Sequence, residues 1–353
     1  MIRSSQFIQL RKKLKKDFNR DNLMFSSQNP MPLKERSFNQ SHKKRVIVIS
    51  GPTASGKTRL SLELAKIIGG EIISADSMQV YEQLDIGTAK VSREERCEIP
   101  HHLIDVCDLS ESFNVVNFYH LARQACYDIL SRNRVPIVVG GTGFYIHALL
   151  YGPPEGPPAS KEIRDKLEGD LEKFGVEALY EKLEKIDPVY SATIGRCDKH
   201  KIIRSLEIIT LSGKKVSDFS KKKPSLKTLE FDFRCWFMYF PKEILYPRIE
   251  MRCDEMIARG LIEETEYLCK IGLLENLSAS QAIGYRQCIE FLESKRTNED
   301  WENFVWAFKK ASRRYAKRQF TWFRSEEAFQ FVPIDVYGYQ KILEMIIQDF
   351  ESR

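Results

Sequence analysis

The residues best suited to chemistry are Gly51-Pro52-Thr53-Ala54-Ser55-Gly56-Lys57-Thr58, which fit the phosphate-loop pattern G-x-x-x-x-G-K-[ST] at every fixed position. Glycines let backbone N–H groups curl round a polyphosphate, Lys57 can neutralise phosphate oxygens, and the Thr58 hydroxyl suits a magnesium ion. A di- or triphosphate is therefore the expected ligand. A carboxylate follows at Asp76. It could hold magnesium through water, accept a proton from a nucleophile, or simply cap the next segment. Its neighbours Ser77, Met78, Gln79 and Tyr81 offer hydrogen-bonding and stacking groups that would suit an aromatic base.

The elements that must position these groups are short and legible. Val46, Ile47, Val48 and Ile49 form a continuous apolar run, the mark of a strand buried on both faces of a parallel sheet. Arg59 to Ile68 carry apolar residues at helical spacing, so the loop is flanked by strand and helix as phosphate binding requires. Glu71-Ile72-Ile73-Ser74-Ala75-Asp76 reads as a second strand ending in the carboxylate. Residues 77 to 113 read as irregular, a helix fits 114 to 132, and Val135 to Val139 form a third strand running into Gly140-Gly141-Thr142-Gly143. Alternating strands and helices predict an α/β fold: a P-loop NTPase-like parallel sheet flanked by helices, with ligands beyond the carboxyl ends of the strands. Asp76 and Thr142 both fall at those ends.

Gly152-Pro153-Pro154-Glu155-Gly156-Pro157-Pro158 breaks the pattern and marks a boundary. The expected organisation is a catalytic core of residues 46–152 and 230–350 around a helical insertion of residues 153–229. Within the insertion, 160 to 212 read as helical and 212 to 227, with six lysines, as a mobile basic loop. Residues 233 to 239 predict a strand returning to the core sheet, and the chain from Lys242 reads as helical. The net charge of +6 is uneven, because residues 1–45 hold twelve Lys or Arg against three Asp or Glu and leave the rest net acidic. This extension reads as disordered. It could add non-specific nucleic-acid affinity, be a solvated tail, or reflect a start set too early, with Met24 or Met31 as the true one.

No apolar run approaches the roughly 20 residues a membrane-spanning helix needs, which predicts a soluble protein with no membrane partner. The eight cysteines are scattered without a C-x-x-C pair, which fits reduced thiols in a cytoplasmic protein and argues against zinc. Adjacent His101-His102 point apart on regular structure and read as structural or loop contacts. Between Trp301 and Arg324, an apolar stripe of Trp301, Phe304, Val305, Phe308, Ala311, Tyr315 and Trp322 repeats at helical spacing. Lys309, Lys310, Arg313, Arg314, Lys317 and Arg318 crowd the remaining surface without an intervening acid, which suggests a nucleic-acid backbone, with a solvated amphipathic helix as the plain alternative.

Taken in order, the motifs resemble the tRNA dimethylallyltransferases, also called tRNA isopentenyltransferases, of bacterial type. The matching runs are 51–58, Asp-Ser-Met-Gln-Val-Tyr at 76–81, Gly-Thr-Ala-Lys at 87–90, Pro-His-His-Leu-Ile-Asp at 100–105 and Gly-Gly-Thr-Gly-Phe-Tyr at 140–145. Ala-Ile-Gly-Tyr-Arg-Gln at 282–287 and Tyr-Ala-Lys-Arg-Gln-Phe-Thr-Trp-Phe-Arg at 315–324 complete the set. The resemblance implies transfer of a dimethylallyl group from dimethylallyl diphosphate to the exocyclic amine of the adenine 3′ of the anticodon, in a monomeric enzyme using Mg2+. It implies diphosphate binding by residues 51 to 58 and Arg252, magnesium on Thr58, charge stabilisation by Lys57, Asp76 as the base and Thr142 as an orienting group. By the family pattern the tRNA lies along Asp76 to Gln79, Thr142, Arg164, Lys201 to Arg204, Gln281 to Cys288 (Gly284, Tyr285 and Arg286 among them) and Arg313 to Phe320 (Arg313, Arg314, Lys317 and Arg318 among them). The zinc finger of eukaryotic relatives is absent from this sequence. The main rival is a P-loop small-molecule kinase with Asp76 as base toward a hydroxyl. That rival leaves the charged insertion and the 309–318 cations unexplained, as does a prenyltransferase acting on free adenine nucleotides. A non-catalytic RNA-binding module would leave Thr58, Asp76 and Thr142 without purpose.

Overall fold

The computed structural model describes residues 44–219 and 230–352. Most of the basic extension and part of the expected basic loop lie outside the described residues. The chain forms two compact units, the second running from Pro153 to Pro224.

The first unit is built on a six-stranded, all-parallel sheet in the order β3-β2-β4-β1-β5-β6. Strand β1 (Arg45–Ser50) is buried at all six positions, as its unbroken apolar run predicts. It starts at Arg45, which the sequence reading assigned to the extension. Arg45 pairs with Asp232 at 3.1 Å and donates to the Phe350 carbonyl, so the charge is satisfied at the sheet's lower edge. Helix α1 (Lys57–Ile68) follows the phosphate loop, and β2 (Gly70–Ser74) delivers the chain to Asp76. Between 77 and 113 the structure adds a short helix α2 (Arg93–Glu98) and a two-residue strand β3 (His101–His102) where irregular chain was expected. Two residues are too few for any periodicity to register. Pairing with Ile72 and Ile73 creates this strand.

Helix α3 (Val115–Ser131) begins at Asn114, whose side chain accepts from the Val116 and Asn117 amides. Strand β4 (Val135–Gly140) lies between β2 and β1, and α4 (Gly143–Tyr151) starts directly after Thr142. Strand β5 (Asp232–Tyr239) returns to the sheet beside β1 as expected. The C-terminal region is not helical throughout. After α8 (Lys242–Arg259), α9 (Leu261–Lys270), α10 (Tyr285–Glu293) and the long α11 (Asn298–Phe323), an edge strand β6 (Phe329–Pro333) pairs with β5 before α12 (Ile334–Glu351). No helix among the described residues is long and apolar enough to cross a membrane.

In the second unit, α5 (Lys161–Ile186), α6 (Pro188–Ser191) and α7 (Lys199–Ser212) pack on Leu167, Leu179, Leu183, Ile202 and Leu206. Gly175, at φ 81°, breaks α5 into two segments. Glu207 is fully buried here and binds three donors: Arg164 at 3.1 Å, Arg204 at 2.6 Å and the Ser160 amide at 2.7 Å. Arg164 and Arg204, expected along tRNA, thus brace this unit, while Lys201 is exposed beside Asp198. Burial alone would push the Glu207 carboxyl up, but bonds from Arg204, the Ser160 amide and Arg164 outweigh it and hold it below the usual glutamate range. A carboxyl depressed in the fold adds stability above its unfolded pKa and loses it as pH falls through the folded value. Glu207→Gln is therefore expected to weaken this unit by about 2 kcal/mol at pH 7. Amide exchange over residues 160–212 would read that loss, and the gap to wild type should close below about pH 4. Unaltered exchange at pH 7 would show the cluster to be inert.

Candidate active site

The site lies at the carboxyl ends of β1, β2 and β4, where the sheet topology places ligands. Two cavities meet there. The first, of about 390 Å³, is walled by Thr53, Ala54, Gly56, Lys57 and Thr58 of the phosphate loop together with Arg248. The second, of about 310 Å³, is walled by Ser77, Met78, Gln281, Ile283, Phe308 and Arg318. Thr53, Asp76, Thr88, Arg252 and Tyr315 face both, so Asp76 and Arg252 stand at the junction.

The phosphate loop is held from several sides. Lys57 Nζ donates to the Gly51 and Pro52 carbonyls, both at 2.9 Å, which folds the loop over its own ammonium. Gly51, Pro52 and Ser55 are buried behind the cavity wall rather than on it. The Arg248 guanidinium donates to Ala54 O at 3.1 Å and rests on the Phe240 ring. Gln319, from α11, accepts from the Thr53 amide at 2.9 Å and donates to Gly141 O at 3.0 Å, joining the turns after β1 and β4. Tyr339, from α12, donates to Ser55 O at 2.9 Å. Gly56 has φ 84°, and a Cβ there would stand 2.2 Å from the Tyr339 hydroxyl, so only glycine fits under this latch.

Electrostatics favour an anion. Burial, then the neighbouring Arg252 cation, pull the Lys57 ammonium down to about 7, against the opposing pull of Asp76. Burial also lowers Arg252, which makes no ion pair or hydrogen bond among the described residues. Two cations kept close without full compensation are a standing attraction for a polyphosphate, and the unpaired first amides of α1 add to it. Asp76 Oδ1 accepts from the Met78 amide at 2.9 Å, which fixes the carboxylate and leaves its other oxygen toward the junction. Thr142 stands behind the wall: its Oγ1 accepts from the Ser77 amide at 3.1 Å and bonds the Tyr315 hydroxyl. Burial, then Asp76, push that hydroxyl up, so Tyr315 stays protonated beside the carboxylate.

Several expected site residues land elsewhere. Tyr81 is fully buried and its hydroxyl accepts from the Phe113 amide, so it offers no stacking face to the cavity. Tyr285 is buried in the wall of the second cavity, donating to Glu264 at 2.7 Å; Glu264 also gathers the Ile86 and Gly87 amides and so holds the Gly87-Thr88-Ala89-Lys90 run. Gly284 is buried at the start of α10, and Arg286 is exposed. Of the expected cationic cluster, Lys309 pairs with Asp254, Arg313 with Glu250, and Lys310 lies over Trp306. Arg314, Lys317 and Arg318 remain exposed and without an acidic partner among the described residues. Tyr315 and Trp322 leave the expected apolar stripe, because the buried line of α11 runs through Phe304, Phe308, Ser312, Ala316, Gln319 and Phe323.

Arg248 and Tyr339 were not singled out for the site by the sequence, and Lys90, Tyr315 and Gln319 entered only within the matching runs, without the roles they hold here. Arg248 stands one helical turn before Arg252, a spacing that could have drawn notice. Lys90 ties Asp85 to Asp105, linking the 87–90 and 100–105 runs. Tyr339 carries no local signal at all.

For magnesium, the Thr58 hydroxyl and Asp76 carboxylate are hard oxygen donors on the wall of one cavity. No group of three or more His, Cys, Asp or Glu side chains able to hold a metal occurs among the described residues. Such sparse donors fit an ion held chiefly by substrate phosphates and water rather than by a protein cage.

A family model described as IPP transferase matches residues 79–326, and another, isopentenyl transferase, matches residues 44–109. The chain belongs to the IPP transferase family. It is 53% identical over 315 residues to the tRNA dimethylallyltransferase of Protochlamydia amoebophila, covering 88% of this chain and 90% of that one. The protein of the same name from Chlamydia pneumoniae is 49% identical over 316 residues, covering 90% and 92%. Among solved structures, the tRNA isopentenylpyrophosphate transferase of Bacillus halodurans superposes with TM-score 0.62 at 38% identity, over 88% of this chain and 97% of that one. A eukaryotic dimethylallyltransferase captured acting on tRNA gives TM-score 0.70 at 29% identity, over 86% and 80%. The family match over 79–326 stops short of Tyr339, so the loop latch comes from outside it. Tyr339→Phe removes one hydroxyl and should weaken binding of inorganic diphosphate about fivefold. Calorimetric titration would measure this, and unchanged affinity would remove Tyr339 from the loop's support.

Proposed function

We propose that the chain transfers a dimethylallyl group from dimethylallyl diphosphate to the N6 amine of the adenine 3′ of the anticodon, tRNA position 37, and releases diphosphate. The observation that carries this reading is the junction at Asp76. A cavity lined by the phosphate loop and a second cavity share one carboxylate. That is the arrangement a transfer between two separately bound substrates needs. Relatives over most of the chain's length bear the name tRNA dimethylallyltransferase. The small-molecule kinase reading is not favoured by them.

In the reaction, the N6–C1 bond forms as the C1–oxygen bond to diphosphate breaks, and the surplus proton on N6 passes to Asp76. The Met78 amide holds that carboxylate in place. Lys57, Arg252 and the first amides of α1 hold the departing diphosphate as its charge grows. Thr58, with Asp76 through water, would hold magnesium, which supplies further charge neutralisation on the phosphates. Tyr315, steadied from behind by Thr142, presents a hydroxyl that keeps the acceptor amine facing C1. An adenine must leave its stack to reach this depth, so the base is flipped. Exposed Arg314, Lys317 and Arg318 would meet the RNA backbone. One chain supplies the walls of both cavities, which fits a monomer, and action on tRNA fits a place in the cytoplasm.

The deciding assay combines the protein, magnesium, radiolabelled dimethylallyl diphosphate and unmodified tRNA. Wild type should label the tRNA, and Asp76→Asn should lower kcat by about 10² to 10⁴ while tRNA binding stays near wild type. Absence of labelled tRNA, together with ATP turnover stimulated by a small hydroxylated acceptor, would make this a kinase instead.

A further inference from the structure

Three residues on one face of α11 lead outward from the junction at helical spacing. Tyr315 lines both cavities, Arg318 lines the second, and Trp322, one turn further, is 41% exposed. Trp322 does not stand alone. Phe144, 45% exposed at the start of α4, meets it edge-on with ring centroids 6.3 Å apart and planes at 75°. His147 flanks the same indole at 6.5 Å and 89°, and its Nδ1 contacts Glu326 at 2.8 Å. The indole also lies directly on the backbone of the active-site turn, because a Cβ on Gly143 would stand 2.3 Å from Trp322 Cδ1. Thr142, the next residue back, bonds the Ser77 amide beside Asp76. A well-braced pair of large aromatic rings is thus held open to solvent on the turn that supports Ser77, the neighbour of Asp76.

The geometry points to Trp322 and Phe144 as a stacking seat for the nucleobase next to the reacting adenine in the RNA strand. The inference rests on the tRNA reading given above and extends it to a subsite. An aromatic ring at a mouth flanked by cations is how single-stranded RNA is gripped: bases stack on the rings while cations track the phosphates. Both parts are present, since Arg314, Lys317 and Arg318 are exposed and free of acidic partners among the described residues, whereas Lys309 and Arg313, earlier on the helix, are neutralised. A peptide partner would have no use for that run of free cations leading into the second cavity. Once the target base has left its stack, its neighbour loses a stacking face, and the exposed rings replace it.

The test uses an unmodified anticodon stem-loop and two versions of it, each abasic at one of the nucleotides flanking the reacting adenine. With the full-length protein, Trp322→Ala should weaken stem-loop binding on the order of tenfold while KM for dimethylallyl diphosphate stays at wild type. Trp322→Phe should restore most of the affinity, and Phe144→Ala should weaken it less. On one of the abasic RNAs, wild type should already bind as weakly as the alanine variant does on intact RNA, and Trp322→Ala should cost nothing more. An equal loss on intact and both abasic RNAs would overturn the stacking seat, as would no loss at all or a rise in the KM for the diphosphate. If wild type modifies the stem-loop and the variant is indistinguishable from it, only the subsite fails. If wild type neither binds nor modifies the stem-loop, the tRNA reading fails with it.

Discussion

One carboxamide joins the parts that the rest of the site depends on. Gln319 reaches from α11 to accept the Thr53 amide and donate to the Gly141 carbonyl, so the turn after β1 and the turn after β4 are held at a set distance. A side-chain amide can do this because it carries a donor and an acceptor on one rigid plane. A charged residue in its place could satisfy only one of the two backbone groups and would leave the other buried without a partner. Gln319 thus ties the phosphate loop and the turn bearing Thr142 to the helix that bears Tyr315 and Arg318.

Around that brace the site is organised by incompletely matched charge. Lys57 and Arg252 sit close enough for the guanidinium to depress the ammonium, and Asp76 offsets them only in part. Such an arrangement is costly without a ligand and is relieved by an anion, which is why it belongs at a binding site and not in a core. The carboxylate that tempers the cations on one side also faces the second cavity, so in the proposed reaction charge balance and proton acceptance meet at a single group. Elsewhere the same chain pairs its buried charges fully. Glu207 collects Arg164, Arg204 and a backbone amide, and Lys90 collects Asp85 and Asp105. Matched clusters brace the fold, and the unmatched pair is left for the ligand.

Helix α11 serves both ends of this arrangement because its faces differ. Its buried line carries phenylalanines together with small or polar residues, Ser312, Ala316 and Gln319, where the backbone approaches closely. Its cations divide by position. Those facing α8 find Glu250 and Asp254, and those nearer the junction find no acid among the described residues. In the linear sequence the six are indistinguishable, since the acids that pair with Lys309 and Arg313 lie 55 and 63 residues away along the chain.

The order of strand, glycine loop and helix was legible because each depends on neighbours in the chain. An unbroken apolar run, positive-φ glycines and helical periodicity are local properties, and they sufficed for the parallel α/β core and for the phosphate-binding turn. The capped start of α3 at Asn114 and the break after Gly152 are of the same kind. What was not legible depends on contacts between distant segments. Strands β3 and β6 are two and five residues long and exist through pairing with β2 and β5. Tyr81 looked available for stacking, yet it is consumed by the interior, while Tyr315 and Trp322 looked like core and face the cavity or solvent. Periodicity reports that a helix has an apolar side, not where the neighbouring elements end. The amino-acid sequence by itself determined a phosphate-loop turn between strand and helix, with Asp76 at the end of the next strand. Tertiary packing alone decided which side chains hold that turn in place, because Gln319, Arg248 and Tyr339 reach the loop from 194 to 284 residues away along the chain.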